Sequence, residues 1–358
     1  MAFLYDIKDY FVEMEAYLNL KYYYSQAHEF QTYKRLQISN IAKEWYCKEG
    51  IIKEILKLNS YIKINKYNKY ILHKSYPSPR AIYPLNVQIY SGGYYFNIDD
   101  LSGEIFKQIV YQNNSKVYYN EMDIIISLKD YNKYPEYYDK IKKSLLLLEV
   151  GHLIYNIILK TKVMGVFYEL SEIEEDKVIL RKSTNILKED LKKSEEMKIL
   201  DKLFLNRTSG PQRPSLFLKS SFINNSFSKE ECVYVKNSLL GIENEIITIK
   251  LTRSGDSFFY NTVKFHYTEI NSLNYTVNFK YVNELYIFLF NKKFLNADLS
   301  SQIINIGSIC QEKILMGTAE GYNSRPLKSF NMIETEKFVK GLGFIEYIPH
   351  YFLVNFQK

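Results

Sequence analysis

Two stretches of this chain are written on one pattern, LLLLEVGHLIYNIILKTKVMGV at 145–166 and SQIINIGSICQEKILMGTAEGY at 301–322. Each holds a glycine, an apolar run of helical character and a second glycine fourteen positions after the first: Gly151 with Gly165, then Gly307 with Gly321. The copies are offset by 156 residues, and the first reads as a long apolar helix central to a domain. A second pair lies in the same order, SPRAIYPLNV (78–87) against SGDSFFYNTV (254–263), with Ser78 on Ser254, Tyr83 on Phe259 and Val87 on Val263. Its offset is 176, so the copies need unequal loops. Two ordered matches argue for a tandem duplication, and 358 residues suffice for two domains of ordinary size.

Composition narrows the class. Hydrophobic residues make up 46% and charged residues 24%, the balance of a folded soluble protein. The net charge of +7 is spread among alternating lysines and glutamates with no block of five like charges, which gives no electrostatic case for nucleic acid. The 34 tyrosines accompany abundant Ile, Lys and Asn, as an AT-rich genome produces, so their number by itself carries no functional message. Cys47, Cys232 and Cys310 lie far apart without a CxxC pair and give neither a disulfide framework nor a zinc or other metal site. The first twenty residues lack the apolar core of a signal peptide, and no run approaches eighteen uninterrupted apolar residues. The expectation is a cytoplasmic protein with reduced thiols and no membrane span.

Residues 1–60 read as helical through Phe3, Leu4, Ile7, Tyr10, Phe11 and Met14, and 1–70 as a helical N-terminal extension. YIKINKYNKYILHK (61–74) reads as an edge strand whose Lys63, Lys66, Lys69 and Lys74 discourage aggregation, or as a dock for an acidic peptide or phosphate. LNVQIY, SGG and YYFNI (85–98) form a hairpin signal, and MDIIISL (122–128) a strand buried on both faces. The first half is placed at 71–180 and the second at 181–358, with the charged stretch 169–202 as a helical connector. The second half then offers EIITIKL, TVKFHYTEI and YTVNFKYV as β-rich stretches, LYIFLF (285–290), the second glycine-bounded helix and a final strand, YFLVNF (351–356).

Four segments share a further pattern: AHEF (27–30), PSPRAIYPLNV (77–87), Lys133-Tyr134 in NKYPEYY, and LLLLEVGHLIYNIIL (145–159) running into Met164-Gly165-Val166. Together they resemble the SagB-type, or McbC-like, azoline dehydrogenases of the nitroreductase fold. The resemblance implies an α+β fold of two fused nitroreductase-like repeats, a pseudo-dimer within one chain, with antiparallel sheets packed on long central helices. It implies FMN as cofactor and the oxidation of thiazolines or oxazolines to azoles in a ribosomally made precursor peptide, with cyclodehydratase subunits as partners. The family holds its phosphate on an Arg-rich motif. Residues 51–76 contain no arginine, whereas RTSGPQR (207–213) offers Arg207, Ser209 and Arg213, or is a charged interdomain turn. Ser78, and Ser324 with Arg325 after Gly321, are further FMN contacts by the same resemblance.

Lys133 and Tyr134 are the catalytic pair that the resemblance implies, the lysine as base and the tyrosine as proton shuttle. The family's pair sits closer to the helix, a spacing that falls on Tyr137-Tyr138 here. Glu149 and His152, three apart on one helical face, are either a flavin-facing pair or a pair satisfied in the core; Asn305 and Ser308 stand in their places in the second copy. The first functional reading is the FMN-dependent dehydrogenase. A flavin-free scaffold or peptide-binding subunit is the second, supported by Pro79-Arg80 where the family has small residues. A flavoenzyme with another substrate is the third.

Overall fold

The computed structural model describes residues 3–18, 50–64, 72–109, 119–129, 134–183, 193–209, 227–238, 246–296 and 298–357. The N-terminal region supplies helices α1 (Ile7–Leu18) and α2 (Gly50–Lys57) and a two-stranded ribbon of β1 (Lys63–Ile64) and β2 (Leu72–His73). The first sheet is built from β3 (Leu85–Ser91), β4 (Tyr94–Ile98), β5 (Ile105–Ile109), β6 (Ile124–Leu128), β7 (Tyr168–Ile173) and β8 (Lys177–Lys182), with α3 (Lys142–Val163) between β6 and β7. Helices α4 (Lys193–Asn206) and α5 (Lys229–Ser238) lead to the second sheet. It contains β9 (Ile247–Ser254), β10 (Ser257–Tyr260), β11 (Val263–His266), β12 (Glu284–Asn291), β13 (Tyr322–Leu327) and β14 (Tyr347–Gln357). Helix α6 (Tyr267–Asn271) follows β11, α7 (Leu299–Ala319) follows β12, and α8 (Met332–Gly341) separates β13 from β14.

Both sheets are antiparallel throughout, and their orders, β5-β4-β3-β6-β8-β7 and β11-β10-β9-β12-β14-β13, are the same when strands are counted from the start of each repeat. The chain is duplicated. Helices α3 and α7 share one core with the inner faces of both sheets, through Val87, Ile89 and Ile126 on one side and Phe288, Phe290 and Leu353 on the other. The second sheet is also covered on its far face, where Ile287, Phe352 and Phe356 meet Ile270 of α6 and Met332 and Val339 of α8. That difference explains the strand patterns. β3 alternates buried with half-buried residues, whereas β12 is buried from Glu284 to Phe290.

The long helices cross at the glycines that the repeat aligns. A Cβ on Gly151 would collide with the Ile304 carbonyl oxygen and lie 2.9 Å from Gly307 Cα; one on Gly307 would collide with the Leu148 carbonyl. Leu148 and Ile304 are themselves related by the 156-residue offset, so the contact is two-fold, the same patch of each repeat meeting its counterpart. Further along, Tyr155 Oη donates to Glu312 Oε2 at 3.2 Å and Gln311 Nε2 to Asn156 Oδ1 at 2.9 Å, again repeat-related pairs. Each helix ends on a left-handed glycine, Gly165 at φ 75° and Gly321 at φ 86°. α3 is also long and apolar enough to cross a membrane, but 94% of that apolar window is buried inside this fold.

Several expectations change. The helix register of the duplication stands, but SPRAIYPLNV and SGDSFFYNTV are not counterparts: the first leads into β3, whereas the second runs from the end of β9 through β10 to the start of β11. The counterpart of Ser254-Gly255-Asp256 is Ser91-Gly92-Gly93, because both close the first hairpin of their sheet. Within the charged stretch 169–202, the chain is helical from Lys193, residues up to Lys182 form the β7–β8 hairpin, whose Arg181 pairs with Glu172 on an exposed edge, and 184–192 lie outside the described residues. HYTEI (266–270) caps and forms α6, and 279–281 is a 3₁₀ turn rather than strand. The first sheet ends at Lys182, past the boundary drawn at 180. Within 1–70, α1 and α2 are helical as expected yet not appended: Phe3, Tyr10, Ile52, Ile55 and Leu56 belong to the main core.

Candidate functional site

A cavity of about 300 Å³ opens where the repeats meet. One wall is first-repeat chain: residues 77–81, Tyr83, and Glu149 and His152 of α3. The other is second-repeat chain: Arg207, Ser209, Arg325, the stretch 326–329 and Tyr351 of β14. Residues Arg80, Ala81 and Tyr83 hold left-handed φ values of 52°, 54° and 48°. Such conformations cost non-glycine residues of order 1 kcal/mol or more each and persist where surrounding contacts impose them. Here the Tyr83 N–H donates to Ser78 Oγ at 2.9 Å, and its ring packs edge-on against Tyr76.

Glu149 is the one acid among the described lining residues. Tyr134 Oη donates to its Oε2 at 3.1 Å, and Oε1 has no hydrogen-bond partner among the described residues. Burial pushes this carboxyl up to about 8, although Ser78, Tyr134 and Lys74 all favour its charged form. His152 Nε2 lies 3.3 Å from Tyr351 Oη, and burial, reinforced by the Arg207 charge, pulls the imidazole down to about 3, so it is neutral. The two groups three apart on α3 therefore find separate partners rather than each other. Asn156, one turn on, donates to Ser75 O and Oγ, both at 3.1 Å, and ties α3 to the β2 exit.

Lys74 is not an exposed edge lysine. Its Nζ is buried, bonded to Asp100 at 2.8 Å and Asn59 at 3.0 Å, and burial pulls it down to about 8. Arg207 leaves the end of α4 and donates through Nη2 to the carbonyls of Lys74 and Tyr76, both at 3.2 Å, while its buried Nε has no partner among the described residues. Ser324 N donates to Thr208 O at 2.9 Å and Arg325 Nε to Ser209 O at 3.2 Å, so the 207–209 segment is laid along β13. Lys328 closes the far end, buried against Glu13 at 2.5 Å and His350 Nε2 at 3.0 Å.

Of the residues singled out from the sequence, Ser78, Arg207, Ser209 and Arg325 meet at this one cavity. Ser324 does not: its hydroxyl is buried behind the wall, at the spot beside Gly317 where a Cβ would meet it. Tyr134 also stands behind the wall, touching the cavity through Glu149, while Tyr138 lines it directly. Lys133, Arg213 and the 27–30 segment lie outside the described residues. Lys328 carried no motif, and Tyr351 sat in what read as an ordinary core strand. Arg80 lay inside the 77–87 motif, where it stood out only as a departure from small residues.

No protein-family model matches this chain, and no curated protein matches it. Among solved structures, a putative nitroreductase from Anabaena variabilis ATCC 29413 is similar over 86% of this chain and 87% of its own, at 12% identity and a TM-score of 0.60. The fold is nitroreductase-like. A nitroreductase family protein from Clostridium difficile 630 covers 37% of this chain and 74% of its own at 12% identity, with a TM-score of 0.26 too low to bear on the question.

Proposed function

We propose that the cavity between the repeats binds FMN and that the protein is a flavin-dependent oxidoreductase, oxidising azoline rings in a precursor peptide as the sequence resemblance implies. The observation that supports this reading is the charge of the cavity: Arg80, Arg207 and Arg325 line it, with Lys328 held against Glu13 at its far end, and the single carboxyl among the described lining residues is pushed by burial toward its neutral form. A dianionic phosphate suits such a wall, and Arg207 Nε is a buried donor with no hydrogen-bond partner among the described residues. Pro77, Pro79, Ile141, Leu145 and Leu327 add apolar surface for a ring. The residues fit the cofactor, which when bound would accept hydride. Its volume lies at the small end for ligand sites. The peptide and the cyclodehydratase subunits are the partners this reading carries.

The test needs no mutation. The purified protein titrated with FMN and with riboflavin should quench the fluorescence of both and bind FMN at least about tenfold more tightly, the worth of one charge-assisted hydrogen bond to phosphate. Arg207 also favours a second reading, because two of its bonds hold backbone carbonyls together. On that reading the protein is a flavin-free scaffold or peptide-binding subunit, and a colourless protein indifferent to FMN is its signature.

A further inference from the structure

We infer that Glu149 is the base that takes the substrate's ring proton in the cavity between the repeats. The inference rests on the flavin reading above. Oxidation of an azoline removes a hydride and a proton from neighbouring ring carbons and leaves the ring with one more double bond: a bound flavin would supply the acceptor for the hydride and its two electrons, and the proton needs a base. Among the described residues at the cavity, Glu149 has the chemistry for that proton. Among the described residues it is the only carboxyl in the lining; Tyr134 fixes one oxygen at 3.1 Å, Ser78 also favours the charged form, and the other oxygen meets no hydrogen-bond partner among the described residues. His73 and His152 are the other ordinary bases among the described lining residues, and His152, buried against Tyr351 and the Arg207 charge, holds protons poorly. The titratable groups facing the carboxyl are Lys74, Tyr76, Tyr83, Tyr134 and Tyr351. None of them neutralises it: Lys74 spends its ammonium on Asp100 and Asn59.

The consequence is an alkaline enzyme. Burial raises the carboxyl from 4.5 to about 8, so the form able to accept a proton is populated only above that range. A strong base is thereby obtained from a weak one, since a carboxylate that prefers its proton takes one readily.

The experiment is single-turnover bleaching of FMN-loaded full-length protein by a peptide bearing one thiazoline, followed against pH, in wild type, Glu149→Gln and Tyr134→Phe. Wild type should bleach faster as pH rises and level above about 8. E149Q should keep its FMN affinity, bleach at least about a hundredfold more slowly and lose the pH limb. Y134F, which removes a bond to the carboxylate, should move the limb to higher pH. A readout without cofactor accompanies these: because the native state holds a proton the unfolded state releases, the stability of wild type over E149Q should fall as pH rises from 4.5 to about 8. An E149Q protein that binds FMN and keeps both rate and limb overturns the inference and leaves the base outside the described wall. A stability gap flat with pH overturns it as well. Wild type that ignores FMN overturns the flavin reading and, with it, this role.

Discussion

Gly151→Ala is expected to unfold the protein or strip it of most of its stability. The added methyl would lie against the Ile304 carbonyl oxygen and 2.9 Å from Gly307 Cα and Ser308 N, all of it backbone in the opposing helix. A side chain can turn aside; two helical backbones packed between sheets can only separate. Separation would unseat the repeat-related bonds Tyr155–Glu312 and Asn156–Gln311 and open the core that both sheets share. A loss of roughly 4 kcal/mol or more belongs to this kind of change. Gly307→Ala should match it, because Gly307 meets Leu148 as Gly151 meets Ile304. Gly341→Ala is the control: a Cβ there meets nothing within 4 Å, and the change should stay within about 1 kcal/mol of wild type. Urea denaturation of the three variants decides the matter. A stable G151A would show that the crossing is adjustable and that the glycine repeat is incidental.

Glu13→Ala should be nearly as damaging at neutral pH, for an electrostatic reason. Glu13 Oε1 lies 2.5 Å from Lys328 Nζ, and both side chains are 2% exposed. Tyr5 Oη donates to the other oxygen at 2.8 Å, which anchors the N-terminal segment to β14 through His350 and Lys328. Removing the carboxylate leaves an ammonium buried beside the neutral His350 ring, a defect that costs about 3–5 kcal/mol. The pH dependence has a definite sign. Burial pulls Lys328 down from 10.5 to about 8, with Glu13 holding it up. The native state therefore binds fewer protons than the unfolded chain between those values, and this lysine's contribution to stability rises with pH across that window. Without Glu13 the window extends lower. The deficit of E13A against wild type should shrink from pH 7 to pH 9, and a deficit that grows or stays constant would refute the buried-cation account.

Much of the architecture was readable because it rests on local pattern. Apolar runs of helical length at 145–163 and 301–319 can be buried only as central helices, and Ser91-Gly92-Gly93 between two β-rich runs can close only a hairpin. The misreadings have an equally local cause. β7 is charged because it is the sheet's edge strand, and an edge strand with one wet face carries the same residues as a solvated helix; β8 beside it puts its charges at its ends, around the buried Val178, Ile179 and Leu180. Lys74 looked like a surface lysine because nothing near it in sequence announces Asp100, its partner across the fold. The cavity was half legible. Ser78, Ser209, Arg207 and Arg325 converge on it, and Arg80 comes with the 77–87 motif, whereas Ser324 stands behind the wall and Lys328 and Tyr351 reach it from segments with no distinguishing pattern.

By itself, the sequence determined that two copies of one unit would fold and that their long helices would carry glycines at equivalent positions. That follows from spacing, since a 156-residue offset repeats both the apolar run and its helix-ending glycine. Only the tertiary structure decided that the two helices cross at those glycines and that the repeats enclose one cavity. It also decided the ionisation of Glu149, His152 and Lys328. Ionisation is a property of burial, and burial here is assembled from elements hundreds of residues apart, as where Glu13 meets Lys328 and His152 meets Tyr351.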